Sequence, residues 1–231
     1  MVALTDFLQL ETPETTVRDW TVDGIPVLSA ALTLPHPVGA ERRQRRIARY
    51  YQQFARSYLH YCDSFLFPRA AEGYRLAVAA STPLPAFTAH LSYQVTYNQN
   101  GLFSLYLDAE ERGDGGRLTV RRGDTWELSS GMTLPLPSFF PPHTPYRKLL
   151  TQLAREEVER RLEAGEASYR EDWHKRLKRT FCSENYYLTQ EGLCFFYQMY
   201  DLAPAVEGIP VFCLPRDDAG AGYAGAGYAA F

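Results

Sequence analysis

The chain has 231 residues, 45% of them apolar and 22% charged, with a formal net charge of −3 and an isoelectric point near 6.0. That is enough for one large or two small globular domains with a real core. The slightly acidic balance argues against a protein that works mainly by neutralising phosphates, so no nucleic-acid partner is expected.

Met1 to Asp19 shows no basic flank followed by an apolar run and does not read as a secretory signal. No window approaches the roughly 18 apolar residues of a membrane helix. As written, the chain is expected in the cytoplasm. Trp20 to Leu34 predicts an opening strand through Val22, Ile25, Val27, Leu28 and Leu32, ending at Pro35-His-Pro. A long helix is predicted from Glu41 to about Phe65, where Ile47, Tyr50, Tyr51, Phe54, Tyr58, Tyr61 and Phe65 recur at three and four residues. Arg42, Arg45, Arg49, Gln53 and Arg56 occupy its other side and read as a solvated face.

Leu76-Ala-Val78 reads as a short strand. Phe87 to Tyr97 alternates apolar and polar residues with a period of two, and Asn98-Gln-Asn-Gly101 supplies a hairpin turn into Phe103, Leu105 and Leu107. Gly113-Asp-Gly-Gly116 breaks that strand. Leu118 and Val120 begin another, and Arg122-Gly-Asp124 is expected to turn into Trp126 and Leu128.

Thr144 is a candidate cap for a helix with Pro145 at its first position and Leu149, Leu150, Leu153, Val158 and Leu162 along its inner face until Gly165. Ser168-Tyr-Arg-Glu171 has the pattern of a capping box for a second helix presenting Trp173, Leu177 and Phe181. Near the end, Asn185-Tyr-Tyr-Leu-Thr-Gln-Glu-Gly-Leu-Cys-Phe-Phe-Tyr197 predicts an aromatic hairpin turning at Gln190-Glu-Gly192. A polar-aromatic loop from Tyr200 to Gly208 then leads to a last strand, Ile209-Pro-Val-Phe-Cys-Leu-Pro215. The sum is an α+β fold, an antiparallel sheet (meander plus C-terminal hairpin) packed by one long and two shorter helices. A single domain is expected over 20–215, with an N-terminal extension at 1–19 and a flexible Gly/Ala/Tyr tail at 216–231.

The four cysteines, Cys62, Cys182, Cys194 and Cys213, form no CxxC pair. Cys194 and Cys213 lie among apolar strand residues and are expected as reduced, structural thiols, although sequence does not fix the separations that would exclude one bridge. The five histidines (His36, His60, His90, His143, His174) have no zinc-site spacing, and neither a nucleophile elbow nor a phosphate loop or dinucleotide fingerprint is present, so no cofactor is expected. Glu110-Glu111 and Glu156-Glu157 are paired carboxylates in charged, surface-like surroundings, where nothing would raise one pKa for acid catalysis.

The stretch from Asn185 to Pro204, followed by Gly208-Ile-Pro-Val-Phe-Cys-Leu-Pro215, resembles the C-terminal signature of a bacterial domain of unknown function found in RsiV-type anti-sigma factors and PdaC-type peptidoglycan deacetylases. The segment Tyr93 to Leu107, the Gly115-Gly116 turn and Trp126 to Leu134 leading to Ser138-Phe-Phe140 are similar to that family's central sheet. Two departures stand out: many relatives carry a His shortly after the paired glycines where this chain has Arg117-Leu-Thr, and Gln198-Met199 lies where they tend to carry proline. The resemblance implies a non-catalytic recognition module that binds a lysozyme-like protein or a cell-wall glycan, in relatives that are membrane-anchored or exported. It also directs attention to Tyr200, Asp201 and Pro204 as binding residues, since they occupy the loop between the aromatic hairpin and the final strand. The alternative is a hydrolase or glycan-modifying enzyme whose site is assembled from distant residues.

Overall fold

Asp23 and Gly24 both take left-handed backbone angles, φ 52° and 77°. They fold the opening segment into a hairpin of β1 (Thr15–Val22) and β2 (Ile25–Thr33), where the apolar pattern alone predicts one strand. The computed structural model describes residues 7–84 and 87–215, so the expected flexible tail at 216–231 lies outside the described residues.

Helix α1 (Arg42–Tyr61) begins where Gln44 Oε1 accepts the Glu41 backbone N–H at 3.3 Å. It continues through a π-turn at Cys62–Leu66 into α2 (Phe67–Ala80). Pro68 has no N–H to give, so the regular ladder breaks just ahead of it and the Phe67 N–H reaches back to the Cys62 carbonyl. The extra residue rotates the apolar stripe. Ile47, Tyr51 and Tyr58 are buried as expected, but the stripe then runs through Cys62, Leu66, Ala70, Tyr74 and Ala77, and Phe65 is left exposed. Leu76 and Val78 belong to the exposed side of α2 rather than to a strand.

The meander follows as β3 (Phe87–Gln99), β4 (Leu102–Gly113) and β5 (Gly116–Glu127), with Asn100 and Gly101 turning the first hairpin at φ 54° and 74°. A short β6 (Met132–Thr133) completes a six-stranded sheet in the order β1-β2-β3-β4-β5-β6. β2 and β3 pair in parallel, Leu28 opposite Phe87 through Leu32 opposite Leu91. That departs from the expected purely antiparallel sheet, and the reason is the helical crossover between them, which returns the chain in the same direction. β5 is continuous, so Arg122-Gly-Asp124 is no turn. A Cβ on Gly123 would lie 1.8 Å from the Tyr186 carbonyl oxygen, so glycine here serves close approach. Leu118 and Val120 face out, and Thr119 is buried between them.

Helix α3 (Tyr146–Glu163) follows Pro145 directly, without the expected Thr144 cap, and buries Leu150, Ala154 and Val158 while Leu149 and Leu162 stay exposed. Helix α4 (Trp173–Arg179) starts after Asp172. The expected capping box is not formed, because the Ser168 N–H goes instead to Glu207 Oε1 at 2.8 Å. A second, three-stranded antiparallel sheet comprises β7 (Tyr186–Leu188), β8 (Gly192–Phe196) and β9 (Val211–Pro215). The register of β8 and β9 sets Cys194 directly opposite Cys213, and the two form a disulfide across a Cα separation of 4.0 Å. This corrects the expectation of two reduced thiols: apolar neighbours describe the strands, but the pairing register decides the chemistry. Cys62 and Cys182 are free.

The chain resolves into two compact units. One joins Gln9–Tyr93 with Leu107–Thr119 and holds the β1–β2 hairpin and the α1–π–α2 segment. The other joins the described residues within Met1–Leu8, Gln94–Tyr106 and Val120–Phe231 and contains α3, α4 and the second sheet. β3, β4 and β5 contribute residues to both.

Two outcomes test these assignments. Leu66→Ala should cost about 2–5 kcal/mol of stability, whereas Phe65→Ala, which removes an exposed ring stacked on Tyr61, should cost less than about 1 kcal/mol in the same denaturant titration. A regular helix would reverse that order. Paired Cys194→Ala and Cys213→Ala should lower stability by about 3 kcal/mol, the chain-entropy cost of a loop of this length. Mass spectrometry of non-reduced peptides should recover the linked pair.

Candidate recognition loop

Strand β8 leads into Tyr197, whose ring is fully buried and whose hydroxyl donates to the Leu177 carbonyl at 2.9 Å. Burial pushes that hydroxyl well above the ordinary tyrosine pKa, so it stays a neutral donor. The next residue closes the start of the loop. Gln198 Oε1 accepts the Arg121 N–H at 2.9 Å while Gln198 Nε2 donates to the Arg121 carbonyl at 2.6 Å, so one side chain pairs with β5 as a neighbouring strand would. The Arg121 guanidinium lies 3.8 Å from the Tyr106 ring centroid.

A tight turn follows. The Asp201 N–H donates to the Gln198 carbonyl at 3.0 Å, and Asp201 Oδ2 accepts the Gln198 N–H at 3.0 Å. Burial raises the Asp201 carboxyl above its usual range, opposed by the Gln198 N–H and by Arg176 and Arg179. Between them sits Tyr200 at φ 71°, the left-handed position that such turns usually give to glycine or asparagine. The residue is 41% exposed.

Further on, Leu202 and Ala203 are buried, and the Leu202 carbonyl accepts the Arg170 N–H at 2.9 Å. Pro204 is exposed and opens a single helical turn, Ala205–Glu207, where Val206 is 88% exposed and Glu207 receives Ser168. The chain leaves at Gly208 with φ 68°. Of the three residues singled out from the sequence, Tyr200 is the displayed one, Asp201 braces the turn, and Pro204 marks the second exposed corner. Sequence reasoning missed Gln198 and Val206. A lone glutamine after an aromatic strand carries no legible signal, but Ala-Val-Glu after a proline could have been read as an exposed turn.

A second concentration of chemistry surrounds the π-turn. The Tyr61 hydroxyl donates to Glu111 Oε2 at 3.1 Å, and Trp20 Nε1 donates to Asp63 Oδ1 at 2.6 Å, where Arg18 also reaches it at 2.9 Å. Burial and the nearby Glu111 push Tyr61 up to about 12, and burial with Glu111 and Asp63 pushes the Cys62 thiol up to about 11. Tyr58 is raised further, chiefly by burial, and among the described residues its hydroxyl meets no hydrogen-bond partner. Burial raises Glu111 above the usual carboxylate range despite its bond from Tyr61 and the field of Arg69. Glu110 points the other way. Burial alone would raise it, but Arg112 and Arg117 together hold it below that range. The expectation that nothing would raise one pKa of this pair is therefore corrected, because adjacent strand residues face opposite environments.

Three comparisons bear on the arrangement. A family model described as a protein of unknown function, DUF3298, matches residues 137–217, the stretch that holds α3, α4, the second sheet and the loop. The fold is shared with a solved DUF3298 family member from Bacteroides fragilis, at a TM-score of 0.66 and 16% identity over 92% of this chain and 93% of that one. It is also shared with a DUF3298 family protein from Pseudomonas aeruginosa, at a TM-score of 0.62 and 13% identity over 95% and 96% of the two chains. No curated protein matches the chain.

The raised Glu111 carboxyl carries a stability signature. Folding favours its protonated form, so its contribution is complete below the ordinary carboxyl pKa and is lost as pH rises through the raised value. Glu111→Gln should therefore raise the melting temperature relative to the parent at about pH 8, with the gap shrinking towards about pH 4. A gap that grew on acidification would contradict the burial assigned to Glu111.

Proposed function

We propose that the chain is a non-catalytic recognition module whose ligand is read by the loop from Tyr200 to Gly208, with Tyr200 as its anchor. The observation that carries this reading is the bulky, partly exposed Tyr200 in a left-handed turn position braced by Asp201 and entered through Gln198. Such a conformation costs of order 1 kcal/mol relative to glycine, so the tyrosine is held there against its local backbone preference. A braced loop with an aromatic tip binds with little ordering cost. The similarity to RsiV-type and PdaC-type domains supports a lysozyme-like protein or a cell-wall glycan as the ligand. The Cys194–Cys213 bridge supports action in an oxidising compartment, against the expectation of a cytoplasmic protein. No helix among the described residues is long and apolar enough to cross a membrane.

One observation favours the enzyme reading, namely the divided environments of Glu110 and Glu111 beside Tyr61. On that reading Glu111→Gln, not a loop variant, would abolish turnover of peptidoglycan fragments.

Tyr200→Gly decides between a binding and a structural role, because it removes the ring and relieves the backbone together. The melting temperature should hold or rise, while affinity for lysozyme or soluble peptidoglycan fragments, measured by calorimetry, should fall by at least about 1 kcal/mol. Unchanged affinity for whichever of these the parent binds would remove Tyr200 from the ligand face, and binding of neither would overturn the choice of ligand.

A further inference from the structure

Helix α1 carries six arginines, Arg42, Arg43, Arg45, Arg46, Arg49 and Arg56, and no acidic residue along Arg42–Tyr61, in a chain whose net charge is −3. Arg43 pairs with Glu41. Arg42, Arg45, Arg49 and Arg56 are exposed and lie on one face, and among the described residues no carboxylate comes within ion-pair reach of them. The first three surround a shallow groove of about 410 Å³, floored where the small Ala48 side chain leaves room beside Gln52. From Arg42 to Arg56 the stripe extends roughly 21 Å, with a cation every one to two turns. The positive end of the helix dipole adds to the field at Arg42.

We propose that this stripe is a docking site for a linear phosphodiester-linked polyol or sugar chain. Guanidinium forks match phosphate oxygens two at a time, and a one-residue-wide row of them matches a chain rather than a sheet of charge. The rest of the face selects among polyanions. Its other exposed residues are Gln52, Gln53, Ser57 and His60. A single-stranded nucleic acid would need exposed aromatic rings on which to stack its bases, and the face offers none fully exposed. An acidic protein segment would need an apolar centre to anchor it, and a bilayer would need apolar side chains to bury or a broad basic patch. A polyol phosphate asks only for charge and hydrogen bonds. This site lies in the unit formed by Gln9–Tyr93 and Leu107–Thr119 and does not rest on the loop reading.

The test is fluorescence anisotropy with a labelled poly(glycerol phosphate) oligomer of about ten repeats, titrated with the full chain across a salt series. Neutralisation of four phosphates gives a slope of log affinity against log salt near about −3, and Arg42→Gln, Arg45→Gln and Arg49→Gln together should bring it near about −1. At low salt the triple variant should bind at least about 10-fold more weakly, with an unchanged melting temperature. Parallel titrations use oligothymidylate of equal phosphate number and phosphatidylglycerol vesicles, both of which should bind more weakly than the oligomer. Equal binding by the triple variant would overturn the proposal. So would oligothymidylate or vesicles binding as tightly as the oligomer.

Discussion

The second sheet can be where it is only because β5 has no side chain at Gly123. The Tyr186 carbonyl approaches that residue so closely that any Cβ would overlap it. Two residues on, the fully buried Ser104 hydroxyl lies 2.8 Å from Thr125 Oγ1 and accepts the Leu188 N–H at 2.9 Å. A polar pair in an apolar core is stable only while all its members are satisfied, so this small network fixes the register of β7 as well as its distance. β7 positions β8, and β8 delivers Gln198 back to the backbone of Arg121, two residues before Gly123 on the same strand. The candidate loop is thus referred to one strand through both the hairpin that precedes it and the residue that opens it.

Magnitudes separate the roles of the ring cluster and the disulfide. Phe195 lies 5.7 Å from Phe212 and 6.4 Å from Tyr197, with Phe181 within 6.4 Å of both Phe195 and Tyr197. Truncating the buried Phe195, Tyr197 or Phe212 ring costs about 3–5 kcal/mol, comparable to or more than the bridge between Cys194 and Cys213. Packing therefore holds the sheet together, and the bridge has a narrower task. It ties β9 to β8 just beyond the loop, while the Tyr197 N–H donates to the Pro210 carbonyl at 3.0 Å and closes the loop's base. With its ends fixed, the segment can present Tyr200 and Val206 without ordering them on contact.

Much of the α+β plan was legible because strand and helix periods differ so plainly. The alternation from Phe87 to Tyr97 and the three-and-four spacing from Ile47 to Tyr58 both describe the burial that the fold shows. Errors arose where a residue type has two physical uses. Gly123 reads as a turn glycine and is a close-approach glycine. Asp23-Gly24 is a true hairpin signal, but it lies inside an apolar run that reads as one strand. Cys194 and Cys213 read as apolar strand residues, and only the register, a long-range property, makes them partners. In the site, Tyr200 was visible as an aromatic residue in a polar loop, but nothing local marks Gln198, whose role depends on a strand 77 residues away.

The π-turn and the left-handed Tyr200 are the two places where the backbone departs from the conformation its residues prefer, and they differ in how firmly the fold requires them. The π-turn is built into its surroundings. Pro68 breaks the ladder, Leu66 and Ala70 take up the rotated stripe, Trp20 and Arg18 hold Asp63, and Tyr61 meets Glu111. Removing it would require several compensating changes, so its persistence needs no function to explain it. Tyr200 is different. Glycine would satisfy the same turn at lower cost, and the bonds of Asp201 to Gln198 involve none of the tyrosine ring. On the reading proposed above, that broken local rule marks what the side chain does outside the fold. On the proposed reading the π-turn cluster belongs first to architecture and the Tyr200 turn first to recognition, although burial and neighbouring carboxylates shift several groups at the π-turn.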